Sequence, residues 1–135
     1  DVYRIKDNFW DRAVKLIDSI NKNTDCKASL YEFNDVASFK KSVASSAILT
    51  NGTSVGLAPD SHNCPVSDTS VLRQGLIVSD VIYNPRETKL LSLAKAAGCH
   101  TFNGMYMLLY QGAEAFKIWT GHDMPVDTVK SQFFS

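Results

Sequence analysis

The chain has 135 residues, enough for one domain with a core of its own. Fourteen Lys and Arg balance fourteen Asp and Glu, with 44% hydrophobic and 21% charged residues, the make-up of an ordinary globule. That balance argues against nucleic acid or an anionic membrane surface as the main partner, since both select basic patches. No apolar run reaches the roughly 18 residues of a membrane span; residues 104 to 119 come nearest, broken by Gln111, Glu114 and Lys117.

Val2 to Ile5 reads as a short strand. Asp7 or Asn8 can cap a helix to about Lys22, whose apolar rows are Phe9, Ala13 and Ile17 beside Trp10 and Val14. Residues 27 to 33 read as a second strand. Asp35 can cap a helix with Val36, Phe39 and Val43 on one face. Ala47 to Thr50 is a strand that ends at Asn51-Gly52. Residues 57 to 70, with Pro59 and Pro65, read as an exposed loop, followed by a turn of helix near Thr69 to Gln74.

Leu76 to Tyr83, LIVSDVIY, is the strongest strand, apolar enough to be covered on both faces. Pro85 sits where a first-turn helix proline belongs and Gly98 where a helix stops. Between them Leu90, Leu91, Ala94 and Ala97 form a stripe. His100 to Phe102 is a brief strand. Helices follow from about Gly104 to Thr120, stopped by Gly121, and from Pro125 to about Phe134. In the first, Leu108, Gly112, Ala115, Phe116 and Trp119 are expected on the core stripe, with Gln111 beside it.

Five alternations of strand and helix predict a Rossmann-like, doubly wound parallel α/β sheet. Such sheets bind ligands beyond the carboxyl ends of their strands, so the strand exits are the candidate sites. Arg4-Ile5-Lys6-Asp7 leaves the first strand. An acidic residue at such an exit accepts ribose hydroxyls and repels a 2′-phosphate, whereas basic residues favour it; a solvated charge run is the simpler reading. Gly52-Thr53-Ser54-Val55-Gly56 is either a tight turn or a place where backbone approaches a flat ligand. Tyr83-Asn84-Pro85 is a common turn. Gln111 needs a partner if buried: a backbone group, or vicinal hydroxyls of a ligand.

No catalytic constellation emerges. His62, His100 and His122 match no zinc spacing, and Thr50, Thr53 and Ser54 have no base near them in sequence. Cys26, Cys64 and Cys99 are odd in number without a CxxC pair, which points to a reducing compartment and a cytoplasmic location.

At these exits the chain resembles the shikimate/quinate dehydrogenase family, specifically its cofactor-binding half. The matching blocks are Asn23-Thr24-Asp25-Cys26, the run Leu49 to Leu57 (LTNGTSVGL), Val81-Ile82-Tyr83-Asn84-Pro85 with Thr88 to Leu91, Gly104 with Met107 to Glu114, and Trp119-Thr120-Gly121. The resemblance implies an NAD(P)-dependent oxidoreductase of the shikimate pathway of aromatic amino acid biosynthesis. It would move hydride reversibly between the nicotinamide and shikimate/3-dehydroshikimate or quinate/3-dehydroquinate. It implies that Arg4, Lys6 and Asp7 surround the adenosine ribose. Ser54 approaches the cofactor, while Val81, Ile82, Tyr83 and Asn84 line the nicotinamide side. Gly104 offers its backbone to the carboxamide, and Gln111 bonds a substrate hydroxyl.

Asp7 favours NAD slightly, while Arg4 and Lys6 leave room for NADP. Two departures stand out: Arg4-Ile5-Lys6 replaces the family's Asn-Arg-basic run, and Tyr106 replaces the second glycine of Gly-x-Gly-Met. Residues 1 to 135 are thus expected to be a partial NAD(P)-binding domain of a larger two-domain enzyme, lacking the first strand and its Gly-rich loop. The catalytic Lys–Asp pair is expected in an N-terminal substrate domain outside this segment, which would be inactive alone. The full-length protein can be a homodimer. No metal is expected. The alternative is a free-standing, non-catalytic nucleotide-binding or structural module.

Overall fold

The computed structural model describes residues 1–134. The chain divides into two compact units, Asp1–Ser46 and Ala47 onward, and each contains parallel strands with helices between or after them.

In the first unit β1 (Val2–Arg4) and β2 (Leu30–Glu32) pair in parallel, with Arg4 opposite Glu32. The crossover between them is α1 (Trp10–Asn23), and α2 (Val36–Ser45) follows. The buried stripe of α1 is narrower than its apolar pattern suggests. Ile17 is buried and Trp10, Ala13 and Ile20 are half-buried, whereas Phe9 and Val14 face solvent. This i, i+3, i+7, i+10 row is what a helix presents to one flat neighbour. Asp35 caps α2, its carboxylate accepting the Ser38 amide at 3.0 Å. Val43 is the buried contact of α2, and Phe39 stands edge-on to Tyr3, which itself stacks on Tyr31 across the strand pair. Val36, expected on that face, is exposed.

In the second unit β3 (Ile48–Asn51), β4 (Ile77–Asp80) and β5 (His100–Phe102) form one parallel sheet in the order β3-β4-β5. A short 3-10 turn at Thr69–Val71 falls where a turn of helix was expected. The strand within LIVSDVIY ends at Asp80, earlier than its apolar run; Leu76, Val78 and Ile82 are nevertheless core, with Leu90, Leu91 and Ala94 of α3 (Lys89–Ala96) packed among them.

Pro85 does not open α3. Its peptide bond with Asn84 is cis, and the helix begins at Lys89, four residues beyond Pro85, because the Thr88 hydroxyl caps the Leu91 amide.

Helix α4 (Met105–Thr120) ends at Gly121, and α5 (Val126–Phe133) packs against it, with the Lys130 ammonium 5.0 Å from the centre of the Tyr106 ring. The burial of α4 departs from the expected stripe. Leu109 is its buried residue, with Leu108, Gly112 and Ala115 half-buried. Phe116 is exposed, and Ile118 and Trp119 are 80% and 81% exposed. Periodicity marked the apolar rows correctly, but only the first turns of α4 reach the core of this unit. No helix among the described residues is long and apolar enough to cross a membrane.

Candidate functional site

Each unit holds one group of the residues singled out from sequence. In the first unit, the chain leaves β1 through Arg4 to Asp7. Asp7 does not cap α1 through its own position, since Phe9 holds the N-cap. Its Oδ1 instead accepts the Phe9 amide at 2.9 Å, and its backbone carbonyl accepts the Trp10 amide. Arg4 Nη2 donates to both carboxylate oxygens of Asp7, at 3.2 and 3.1 Å. The Phe9 amide first, and then the Arg4 guanidinium, hold the Asp7 carboxyl below the usual carboxylate range. Lys6 is paired with Glu32 at 2.9 Å and lies over the Trp10 ring.

In the second unit, three strand exits are laced together. The Val81 amide donates to the Asn51 carbonyl at 3.1 Å, and the Gly104 amide donates to the Ile82 carbonyl at 3.0 Å. Gly104 is also the N-cap of α4, and a Cβ on it would fall inside the Val81 carbonyl. Only glycine permits that approach of β5's exit to β4's. Asn103 extends the lacing, its Nδ2 donating to the Arg86 carbonyl at 2.7 Å and its Oδ1 accepting the Met105 amide.

Val81, Tyr83, Asn84 and Gly104 therefore share one rim. Tyr83 and Asn84 are exposed there. Ile82 presents only backbone to the rim, because its side chain is 4% exposed in the core. Ser54 is exposed on the loop after β3, and its hydroxyl has no partner among the described residues. Gly56, at φ 98° and with the Asn63 carbonyl 3.2 Å from where a Cβ would sit, bends that loop back. Gln111 is exposed rather than buried, and its Nε2 donates to the Leu108 carbonyl at 3.0 Å. The backbone partner weighed from sequence is thus present, and the amide still faces solvent.

Sequence reasoning missed the group beneath the rim. Asp80, at the end of β4, accepts the Asn51 side-chain amide at 3.1 Å, the Ile82 amide at 3.1 Å and the Thr88 hydroxyl at 2.7 Å. Asn51 in turn accepts the Thr53 amide and hydroxyl and donates to the Val55 carbonyl. One buried carboxyl therefore holds the loops after β3 and β4 and the start of α3, with every hydrogen bond directed inward. The available signal was Asp80 itself, the lone charged residue in LIVSDVIY.

Cys64 is half-buried, and burial pushes its thiol above the ordinary range, which leaves it a poor nucleophile. Among the described residues no three His, Cys, Asp or Glu side chains gather to hold a metal ion.

Parallel strands, helical crossovers and loops held at the strands' carboxyl ends define a Rossmann-like α/β module. A family model for the shikimate 5′-dehydrogenase C-terminal domain matches residues 104–132. Among curated relatives, a shikimate dehydrogenase (NADP(+)) of Listeria monocytogenes is 44% identical over 133 residues, covering 98% of this chain and 46% of that protein. A quinate/shikimate dehydrogenase of Escherichia coli is 44% identical over 129 residues, covering 96% and 45%. The crystal structure of shikimate 5-dehydrogenase from Listeria monocytogenes in complex with shikimate and NAD superposes with a TM-score of 0.89 at 45% identity, covering 96% of this chain and 45% of that one. The chain belongs to the shikimate/quinate dehydrogenase family. It spans about half the length of the curated relatives it matches.

Proposed function

We propose that this chain is the cofactor-binding part of a larger NAD(P)-dependent oxidoreductase that acts on shikimate or quinate. In the oxidative direction the ring carbon gives hydride to the nicotinamide and its hydroxyl gives a proton to a base, leaving a ketone and the reduced cofactor. The base and its partner, a Lys–Asp pair, belong to a substrate domain outside these residues. Here Val81, Ile82, Tyr83 and Asn84 with Gly104 frame the nicotinamide, Ser54 approaches the cofactor, and Gln111 turns its exposed amide to a substrate hydroxyl.

Arg4, Lys6 and Asp7 surround the adenosine ribose. Asp7 gives NAD a slight advantage by accepting the ribose hydroxyls. The cytoplasm is the matching compartment, since all three cysteines are free thiols. The whole protein would work as a homodimer.

The observation that carries this reading is the rim itself. Gly104 is pressed on the Val81 carbonyl, so three strand exits meet within one unit of a chain 44% identical to dehydrogenases over nearly its whole length. The test is to express the full-length polypeptide and follow the absorbance of reduced nicotinamide with shikimate or quinate and with NAD or NADP. Acid-dependent reduction of either cofactor supports the proposal, and failure of all four combinations overturns it. Tight cofactor binding without turnover would instead favour a non-catalytic module, the outcome that Tyr106 at a family glycine position makes worth testing.

A further inference from the structure

We infer that the buried Asp80 carboxylate makes the rim sensitive to the redox state of the nicotinamide: its negative charge holds the oxidised, cationic ring more tightly than the reduced, neutral one. This rests on the reading that Val81, Ile82 and Gly104 frame the nicotinamide. Asp80 is 1% exposed. Its Oδ1 accepts the Asn51 side-chain amide and the Ile82 backbone amide, and its Oδ2 accepts the Thr88 hydroxyl. A group that only accepts is a carboxylate rather than a protonated carboxyl. All three donors are neutral, so the charge is solvated by dipoles and left in place.

No cation cancels it. Asp80 has no ion pair among the described residues, and the basic residues nearest it in sequence, Arg73, Arg86 and Lys89, are exposed. The charge also lies close under the rim. Oδ1 is 3.1 Å from the Ile82 nitrogen, and the Ile82 carbonyl takes the Gly104 amide at 3.0 Å. Away from water a charge keeps its reach, because the effective dielectric is low. Hydride transfer to the nicotinamide removes one positive charge from its ring. A fixed anion beneath the rim therefore favours the oxidised form, and it draws the bound equilibrium toward the alcohol and the oxidised cofactor.

The test titrates the full-length polypeptide with NAD+ and NADH, or with NADP+ and NADPH, in the absence of acid, so that no turnover is needed. Asp80→Asn keeps both bonds to Oδ1 and offers Thr88 an amide, which its hydroxyl accepts. It should lower the ratio of Kd for the reduced form to Kd for the oxidised form about fivefold to tenfold, chiefly by weakening the oxidised form. Thr88→Val loosens the same contact but keeps the charge, and should not lower that ratio. Val55→Lys adds a cation at an exposed residue whose carbonyl takes the Asn51 amide; it leaves Asp80 in place and should lower the ratio as well.

Equal weakening of both forms in Asp80→Asn, or an equally large fall of the ratio in Thr88→Val, shows a purely structural role and overturns the inference. If Asp80→Asn does not fold, an unchanged ratio in Val55→Lys overturns it. A wild type that binds neither redox form would instead refute the rim as a cofactor site, and the role of Asp80 with it.

Discussion

Thr88 Oγ1 lies 2.7 Å from Asp80 Oδ2, and both side chains are 1% exposed. Eight residues separate them, and between them runs the loop that carries Tyr83 and Asn84. The same hydroxyl accepts the Leu91 amide, so one side chain ties the end of β4 to the start of α3. Thr88→Val keeps the shape and removes the hydroxyl. It should destabilise the chain by about 2 kcal/mol or more, since a buried carboxyl oxygen loses its partner, whereas Thr88→Ser should cost well under half as much. Urea denaturation of the three proteins checks this. Equal midpoints for Val and wild type would show that the bond contributes nothing net.

Gly104→Ala is expected to be more damaging than its single methyl suggests. The added carbon would overlap the Val81 carbonyl, which is backbone and cannot rotate away. Overpacking of this kind costs about 1–3 kcal/mol, and relief requires the exits of β4 and β5 to separate. Thermal denaturation should show the loss, and cofactor titration of the full-length variant should show weaker binding even where the fold survives. Wild-type affinity would mean that this close approach does not shape the cofactor rim.

Gln111→Ala separates the two partners available to the amide. The bond to the Leu108 carbonyl is local to α4 and exposed, so its loss should leave stability within about 0.5 kcal/mol. In the full-length enzyme the substitution should raise KM for the acid by about tenfold and spare KM for NAD(P). Collapse of cofactor affinity instead would reassign Gln111.

Asp7 and Asp35 make the first unit sensitive to acid. Both carboxyls are held below the usual range, Asp7 first by the Phe9 amide and Asp35 first by its bonding with Ser38. A depressed folded value stabilises the fold above the ordinary Asp pKa of about 3.9 and loses that contribution as pH falls through the lowered value. Denaturant midpoints measured from about pH 5 down to pH 2 should therefore fall. In Asp35→Asn the decline should be shallower, because the cap then has no proton to gain. Parallel curves would show that Asp35 is not linked to folding.

The parts of this molecule that repeat were legible in its sequence. The apolar run around Val78 and the Leu90, Leu91, Ala94 spacing fixed a buried strand and the helix against it, because burial imposes a period. The alternation of such segments gave parallel pairing. What failed was less periodic. Pro85 looked like the start of a helix, yet the start lies at Thr88, whose hydroxyl supplies the cap that proline lacks. Trp119 belonged to an apolar row by spacing and is exposed, since spacing names a face without saying what lies against it.

The strand exits were recognisable as loops, whereas the close approach of Gly104 to Val81 carried no signal of its own and Gly104 was singled out only through the family resemblance. The Asp80, Asn51 and Thr88 network was not recognisable, because its members are 29 and 8 residues apart and share no spacing rule.

The exposure of Trp119 has a practical consequence. The chain has two tryptophans, and they fall one in each unit: Trp10 half-buried beneath the Lys6 ammonium, Trp119 on the open end of α4. Replacing either with phenylalanine leaves a single indole whose emission reports on one unit alone. A blue shift from Trp119 would then signal that something has settled over the end of α4, and a change in Trp10 would register events at the exit of β1.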